Sequence, residues 1–338
     1  MRRTALCLSL AVAAALSGCA GTAPRVEPLS PESLAIVETL GLDADQIAVL
    51  DAKPLYKFSE AELGPYLAYM QKVEPSLPDR IVRIGRKNIG QPYELYLLGE
   101  FPVETYDPQP LYCLDRSDCV VFSEHSYAMA LSHDWTSFFT MLQRIRYKDG
   151  EIGVATRNHY TEADWNVNNA WLVRDISAEL AGDDAKEFSG TFDRAKFLKN
   201  RYKIDRDIPK EKLTTSYVPL SALPRVELLL RNGDYVNVVV SSPKGGTYVP
   251  HVGLVAIGED GTANFLHSTP PRVREEPIQA YVARRLEDKE KLEKEGKAVL
   301  VGFKFLRLEE DPIANLRKID GAETPKVRFA APQDAAGN

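Results

Sequence analysis

The sequence predicts an α+β fold, with helices in the first half of the chain and an antiparallel sheet in the second. Two observations lead to this prediction. Apolar residues recur at helical spacing up to about residue 147, and short runs rich in Val, Ile and aromatic residues, separated by turn signals, follow. No repeat of solenoid length is visible, so we expect one large domain or a core domain with additions.

The first 18 residues have the composition of a bacterial export signal. Arg2 and Arg3 form a basic region, and the apolar run over residues 5–16 is too short to span a bilayer. The four residues L-S-G-C that end at Cys19 resemble the lipobox of bacterial lipoproteins, in which the chain is cut before the cysteine and the cysteine receives lipid. An ordinary secretory signal is the alternative. The paired arginines lack the rest of a twin-arginine pattern, which favours general secretion.

By this resemblance, Cys19 carries a lipid anchor. Ala20 follows it where an aspartate would retain the protein at the inner membrane, so we expect an outer-membrane location facing the periplasm. Removing residues 1–18 leaves 320 residues and changes the formal charge from −6 to −8, because two arginines and no acidic residue are lost. An acidic chain argues against a nucleic-acid partner. No second apolar run approaches membrane length, so membrane attachment depends on the lipid.

Two cysteines, Cys113 and Cys119, remain in the body of the exported chain once Cys7 is removed with the signal and Cys19 is lipidated. A disulfide between them is one interpretation, since exported proteins meet oxidising conditions. The loop it would close is very short and would gain little stability from closure. A reactive thiol at Cys119 is the other interpretation, and we favour it.

The segments before Cys119 can be assigned in order. Residues 19–30 are small and contain proline, which indicates a tether, and residues 31–88 have helical patterning. Within that region, S-E-A-E at 59–62 predicts a capping box, and a further helix is expected over residues 77–89, where G-Q-P-Y ends it. Residues 99–116 have no period and predict a loop that leads to Cys119.

Cys119 is expected at the start of a helix, with Ser117 or Asp118 as the N-cap, and a second helix is expected over residues 134–147. The N–H groups and the dipole of a helix N-terminus stabilise a thiolate, so this position predicts a lowered pKa for the Cys119 thiol. After these helices the patterning indicates strands near residues 152–156, 235–240, 252–257, 263–266 and 299–306. The charged run at 284–297 predicts a solvated helix.

Several short motifs occur in a fixed order: G-Q-P-Y at 90–93, D-C at 118–119, N-G-D at 232–234, H-V-G at 251–253 and L-H-S at 266–268. This set resembles the NlpC superfamily of papain-like cell-wall amidohydrolases. The block R-N-H-Y-T-E-A-D-W at 157–165 is similar to a motif of one branch, described as N-acetylmuramoyl-L-alanine amidase-like. Val121 and Ser123 replace the threonine and the apolar residue usual in that branch, which bears on subfamily and substrate more than on chemistry.

The resemblance implies a papain-like core in which the cysteine lies at a helix N-terminus packed on an antiparallel sheet, with a helical N-terminal extension. We expect the hydrolase domain over residues 89–310, an insertion at about 178–222 that shapes substrate access, and a tail over 311–338.

The implied chemistry is nucleophilic attack by Cys119 on an amide carbonyl, with His251 as proton carrier and His267 orienting it. A hairpin closed by the E-D-G turn at 259–261 can bring the two histidines together. Tyr93 resembles the superfamily's tyrosine beside the nucleophile, where its hydroxyl would contact substrate or the oxyanion. This mechanism implies no cofactor and no metal. A metal enzyme with His159, His251, His267 and Cys119 as ligands is an alternative, but H-E-x-x-H and close C-x-x-C patterns are missing.

Arg157, His159 and Trp165 lie together in the branch motif and have two interpretations. They either fix a loop through hydrogen bonds and burial, or pair with a peptide carboxylate and stack on a sugar or peptide plane.

A lipid-anchored hydrolase facing the periplasm meets peptidoglycan or its muropeptides first. The branch implies cleavage between N-acetylmuramic acid and L-alanine. One alternative is γ-D-glutamyl-diamino acid endopeptidase activity. The other is a lipoprotein without catalytic activity that only binds cell-wall fragments.

Overall fold

The computed structural model describes residues 27–321 and the backbone of residues 328–329. The predicted signal segment, Cys19 and most of the tether lie outside the described residues. Among the helices of the described residues, none is long and apolar enough to cross a membrane.

The helices fall into an N-terminal group, a central pair, and short helices that alternate with the strands. The helix bounds are α1 (Pro31–Leu40), α2 (Ala44–Ala52), α3 (Glu60–Val73), α4 (Leu77–Lys87), α5 (Cys119–Ala130), α6 (Trp135–Arg146), α7 (Asn166–Asn168), α8 (Ser177–Ala181), α9 (Arg194–Tyr202), α10 (Leu223–Val226), α11 (Ile278–Glu287), α12 (Lys289–Lys294) and α13 (Pro312–Asp320). The predicted capping box at the start of α3 is confirmed, with Ser59 and Glu62 as its members.

The strand bounds are β1 (Glu151–Ile152), β2 (Val173–Asp175), β3 (Lys186–Phe192), β4 (Glu211–Pro219), β5 (Tyr235–Ser241), β6 (Thr247–Ile257), β7 (Ala263–His267), β8 (Arg274–Pro277), β9 (Val299–Leu308) and β10 (Arg328–Phe329). The main sheet has the order β3-β4-β9-β5-β6-β7-β8, with β2 also paired to β9, and all of its pairings are antiparallel. The predicted α+β class is therefore confirmed.

Apolar side chains point to both faces of the main sheet, and helices pack against each face. On β6, Val252 and Leu254 face the first six helices, whereas Val255 faces the opposite side, where α8, α10 and α11 pack. The central helix α5 is buried on every side, because the sheet, α4 and α6 surround it. Cys119, the first residue of α5, is therefore held by a helix that is packed on all sides.

The N-terminal helices are joined directly to the end of α5. Gln71 on α3 donates hydrogen bonds to the carbonyls of Ala130 and Ser132, at 2.9 and 2.7 Å, and Nε of Arg80 on α4 donates to the Ala130 carbonyl at 2.8 Å. These side chains satisfy carbonyls that the last turn of a helix leaves without an intrahelical partner.

The strand predictions were right for β5, β7 and β9 but incomplete elsewhere. β1 has two residues rather than five, and the hairpin of β3 and β4 was not predicted because both strands mix charged residues with apolar ones and β3 contains Gly190. The charged run at 284–297 forms the end of α11 and then α12, so the predicted solvated stretch is helical over most of its length and is exposed except at Arg285 and Leu292, which are partly buried.

Candidate active site

Cys119 is the first residue of α5, as predicted, and Asp118 is the N-cap. The Asp118 carboxylate accepts hydrogen bonds from the backbone N–H groups of Val120 and Val121 at 3.0 and 2.9 Å. The cap uses two of the free N–H groups at the helix N-terminus. It also places a carboxylate next to the thiol.

The predicted lowering of the Cys119 pKa is wrong. Burial of the side chain, together with the charge of Asp118, raises the pKa of this thiol to about 12, although the N–H groups of Val252, Val120 and Cys119 itself oppose the shift. The sequence argument counted the helix N-terminus and omitted desolvation and the capping carboxylate. The thiol is therefore protonated at neutral pH.

A buried hydroxyl network fixes the loop before Cys119 against the strand that ends in His267. Ser117 donates to Oε1 of Gln91 at 2.7 Å, and the hydroxyls of Ser117 and Ser268 are 3.0 Å apart. Ser268 also donates to the Ser117 carbonyl at 2.9 Å. This network gives a physical role to three of the sequence motifs, since G-Q-P-Y, the residues before D-C, and L-H-S meet here.

His251 on β6 and His267 on β7 lie in hydrogen-bond contact. Nε2 of His251 is 2.7 Å from Nδ1 of His267, so the expected proximity of the two rings is confirmed. His267 is fully buried, whereas His251 is partly exposed. Beyond His267, its Nε2 lies 3.0 Å from Oε1 of Glu276 on β8. The three side chains form a line across adjacent strands.

Glu276 is the end of this line and is ionised. Partial burial of the carboxyl group by itself would raise its pKa. Hydrogen bonds from His267 and Arg284 and the charge of Arg274 outweigh this effect and hold the pKa of Glu276 well below its usual range. Nε of Arg274 lies 3.1 Å and one NH group of Arg284 lies 2.8 Å from Oε1 of the same carboxylate.

The charge of Glu276 determines where the protons on the rings lie. A carboxylate can only accept hydrogen bonds, so Nε2 of His267 donates to it. Burial lowers the pKa of His267, so this ring is neutral and its Nδ1 accepts from Nε2 of His251. Nδ1 of His251 is then left without a proton and can act as a base.

The thiol of Cys119 contacts the backbone next to His251, and no hydrogen bond joins the thiol to the His251 ring. Cys119 lies beside the N–H of Val252, the residue after His251. Burial, together with the neighbouring His267 and Arg285, lowers the pKa of His251 to about 3, so its ring is neutral. Thiol and imidazole are both uncharged, and a catalytic hydrogen bond between them has to form with substrate present.

Tyr93 lies on the side of the site that carries the thiol. Its backbone pairs with Ser117 in an isolated parallel bridge, two residues before Cys119. Partial burial, together with the charges of Cys119 and Asp118, raises the pKa of Tyr93 to about 12. Its hydroxyl is therefore a stable hydrogen-bond donor.

Arg157 and Trp165 are held by interactions inside the protein. Arg157 forms a bidentate pair with buried Glu100 and also contacts Asp107 at 3.0 Å, which leaves its guanidinium no free edge for a peptide carboxylate. Trp165 is 1% exposed, its ring lies 4.3 Å from that of Tyr235, and its N–H donates to Glu124. Stacking of Trp165 on a substrate is excluded by this burial.

His159 occupies an intermediate position. One ring nitrogen lies 2.7 Å from the Val154 carbonyl, and the ring packs against Phe197 at 4.7 Å. Burial and the nearby Arg157 lower the pKa of His159 to about 3. The residue also lines a cavity of about 760 Å³ that extends along β3 to Val249, two residues before His251.

Two alternatives from the sequence can be compared with the geometry. Cys113 and Cys119 are both free thiols, and Sγ of Cys113 donates to Asp115 at 3.0 Å, so the disulfide is wrong. Within residues 27–321, no three His, Cys, Asp or Glu side chains converge in a metal-binding arrangement.

Sequence reasoning missed Glu276. It lies in the run R-E-E-P, which shows no motif, and only the pairing of β7 with β8 places it beside His267. The register His267↔Arg274 brings the next but one residue within reach of the imidazole. A strand prediction for residues 274–277 would have been the signal.

Comparison with known proteins agrees with the fold and names a family. The sequence model of the N-acetylmuramoyl-L-alanine amidase-like family matches residues 83–286, more than half of the chain. The protein LPG0564 from Legionella pneumophila has a TM-score of 0.63 at 17% identity, covering 82% of this chain and 96% of its own. An N-acetylmuramoyl-L-alanine amidase from Bacteroides uniformis has a TM-score of 0.52 at 19% identity, covering 69% of this chain and 99% of its own. No curated protein matches this sequence significantly. The chain belongs to the N-acetylmuramoyl-L-alanine amidase-like family.

Proposed function

We propose that this protein is a cysteine amidohydrolase of the cell envelope that cleaves the amide between N-acetylmuramic acid and L-alanine in peptidoglycan. The observation that carries the proposal is the line of His251, His267 and Glu276 beside Cys119. Family membership supports the substrate class. The NlpC-type papain-like core is part of the same proposal.

The first half of the reaction follows from the uncharged thiol and imidazole. As Sγ of Cys119 attacks the lactyl carbonyl carbon, Nδ1 of His251 takes the thiol proton, so the thiolate forms only as the bond is made. The charge that develops on the carbonyl oxygen is stabilised by the N–H of Cys119 at the helix start and by the hydroxyl of Tyr93.

The second half transfers the same proton to the leaving group. The imidazolium of His251 donates it to the amide nitrogen, the C–N bond breaks, and the peptide leaves with a free L-alanine amine. A thioester then joins Cys119 to the lactyl carbonyl. Water deprotonated by His251 attacks this carbonyl, the C–S bond breaks to release the lactyl carboxylic acid, and the thiolate of Cys119 takes the proton back from His251. His267 and Glu276 keep His251 in the reactive tautomer throughout.

The location is proposed with the reaction. The basic, apolar and L-S-G-C segments support export and lipidation at Cys19, with the enzyme facing the periplasm from the outer membrane. Metabolic labelling with a fatty-acid analogue, comparing wild type with Cys19→Ala, tests it. Equal labelling of both proteins would remove the lipid anchor from the proposal.

The activity is tested on purified muropeptides with product masses as the readout. We expect wild type to release intact stem peptides with a free L-alanine amine, Cys119→Ala to release none, and Cys113→Ala to retain activity. Release of products cut after D-glutamate would identify the endopeptidase alternative instead. Equal turnover by wild type and Cys119→Ala would reject the cysteine mechanism, and loss on EDTA treatment without loss on thiol alkylation would indicate a metal enzyme.

A further inference from the structure

A second cavity, of about 600 Å³, lies at the start of β6 and reaches the residue that precedes His251. It is lined by Pro250, the residue before His251, by Tyr248, and by three cationic side chains, Lys244, Arg285 and Lys297. No carboxylate lines it within the described part of the chain. The cavity is therefore a positively charged space beside the candidate base.

Arg285 is the cation of this cavity that is placed to bind a ligand. Lys297 is already paired with Glu295 at 2.7 Å, and Lys244 lies on an exposed turn. Among the described residues Arg285 forms no ion pair, and its Nε is inaccessible to solvent yet has no hydrogen-bond partner. An unpaired guanidinium of this kind favours a carboxylate or phosphate that can take two parallel hydrogen bonds.

The position of Arg285 relative to His251 is fixed by α11. Tyr281 and Arg285 are four residues apart and lie on the same face of this helix. The ring of Tyr281 is nearly parallel to that of His251, with 6.5 Å between the centroids. Arg274 and Arg284 are also close but are both occupied by Glu276.

The larger cavity on the other side of Tyr248 has a different character. It is lined mainly by hydroxyl-bearing and aromatic residues, and its carboxylate, Glu162, is paired with buried Lys304 at 2.6 Å. Lys212 is the only Lys or Arg among the described residues that line this cavity, against three in the Arg285 cavity, so the larger cavity suits a hydroxyl-rich ligand such as a saccharide and the Arg285 cavity suits an anion. Tyr248 lines both cavities and separates them.

We propose that Arg285 binds a carboxylate of the stem peptide in this cavity and so selects acidic peptides as leaving groups. The proposal rests on the proposed function, because the base that protonates the leaving amine has to lie on the leaving-group side. Because Pro250 of the Arg285 cavity directly precedes His251 on β6, the leaving peptide is assigned to this cavity. In peptidoglycan the carboxylates are on the peptide and the N-acetylated sugars are uncharged, which matches the two cavities.

The test uses two muramyl dipeptides that differ by one charge. N-acetylmuramoyl-L-alanyl-D-isoglutamine carries a single carboxylate, and its diamide carries none. We expect wild type to prefer the acid by about tenfold in kcat/KM, mainly through KM, since a charge-assisted hydrogen bond contributes about that much. Arg285→Gln should remove the preference by lowering kcat/KM for the acid and leaving kcat/KM for the diamide unchanged. Arg285→Lys should keep part of the preference.

The ratio between the two substrates is measured on the same protein sample, so partial unfolding of a variant does not alter it. Lys289→Gln is the matched control, because it removes one positive charge from α12, outside the cavity lining, and should keep the full preference. Equal values for acid and diamide in wild type would overturn the proposal, and so would an unchanged ratio in Arg285→Gln.

A binding experiment separates failure of this proposal from failure of the proposed function. Calorimetric titration of Cys119→Ala with the same two dipeptides gives a Kd ratio that needs no turnover. If wild type cleaves neither dipeptide but Cys119→Ala still prefers the acid and Cys119→Ala with Arg285→Gln does not, the Arg285 site stands without the reaction. Loss of preference in the binding data rejects the site whatever the activity.

Discussion

Gly253 lies directly across the sheet from His267, and a methyl group at Gly253 would stand 2.8 Å from Cβ of His267 and 2.6 Å from the ring of Phe265. Both distances are shorter than side chains tolerate. The glycine of the H-V-G motif thus allows β7 to approach β6 closely enough for the two histidine rings to meet. The glycine of this motif is therefore required because the space between the two strands does not admit a larger side chain.

Gly253→Ala is expected to destabilise the protein and impair the site together. Overpacking a close contact costs about 1–3 kcal/mol, and relief requires His267 to move away from His251. Thermal unfolding and muropeptide turnover measure the two effects. Gly64→Ala in α3 is the control, since its nearest neighbour is 3.6 Å away and alanine favours helix, so it should stabilise slightly. If Gly253→Ala changed neither the unfolding temperature nor the turnover, this steric explanation would be wrong.

Glu276→Gln is expected to reduce kcat by about 10- to 100-fold with little change in KM, as second-layer partners of reactive histidines usually do. The substitution removes the charge that keeps the Nε2 proton on His267. Nitrogen NMR of the imidazoles should show the His251 tautomer becoming mixed. Glu275→Gln, which removes the adjacent charge that pairs with Arg86, should leave both readouts unchanged. An unaltered tautomer in Glu276→Gln would refute the positioning role.

Alkylation of the Cys119 thiol should be slow at neutral pH and increase continuously up to at least pH 9. A thiol with a pKa near 12 is protonated throughout this range, so each pH unit raises the thiolate fraction about tenfold. The measurement uses iodoacetamide with Cys113→Ala, which removes the other thiol of residues 27–321, and follows the modification of Cys119 by peptide mass. His251→Ala should follow the same curve, because the two groups do not form an ion pair at rest. A plateau near neutral pH would indicate a thiolate paired with an imidazolium.

The free energy of unfolding should fall as pH decreases from 7 to 5. Burial holds the pKa values of His125, His159 and His251 near 3, far below the ordinary 6.5. Between these two values the unfolded chain binds more protons than the folded one, so their contribution is complete above pH 6.5 and is lost as pH falls. Urea unfolding at several pH values measures it. His125→Asn should reduce the pH dependence, and a pH-independent stability would contradict these shifts.

The sequence predicted the positions of the candidate residues in the fold better than it predicted their environment. The helix start at Cys119 and the contact between His251 and His267 could be predicted because helix-start and hairpin signals are local. The raised pKa of Cys119, the burial of Trp165 and the pairing of Arg157 with Glu100 depend on residues brought together by the fold. Glu276 and Arg285 were missed for the same reason. Glu276 contacts His267 only through the pairing of β7 with β8, and Arg285 reaches its cavity only because α11 packs against the sheet.

The hydrogen bonds from Gln71 and Arg80 to the last carbonyls of α5 determine where the chain can be shortened without damage to this helix. The family match begins at residue 83, after both side chains, and yet these side chains finish the helix whose first residue is Cys119. The segment that similarity defines is therefore smaller than the unit that folds. A chain shortened to start at residue 83 would expose the end of its central helix, so the activity of this protein has to be measured with the preceding helices attached.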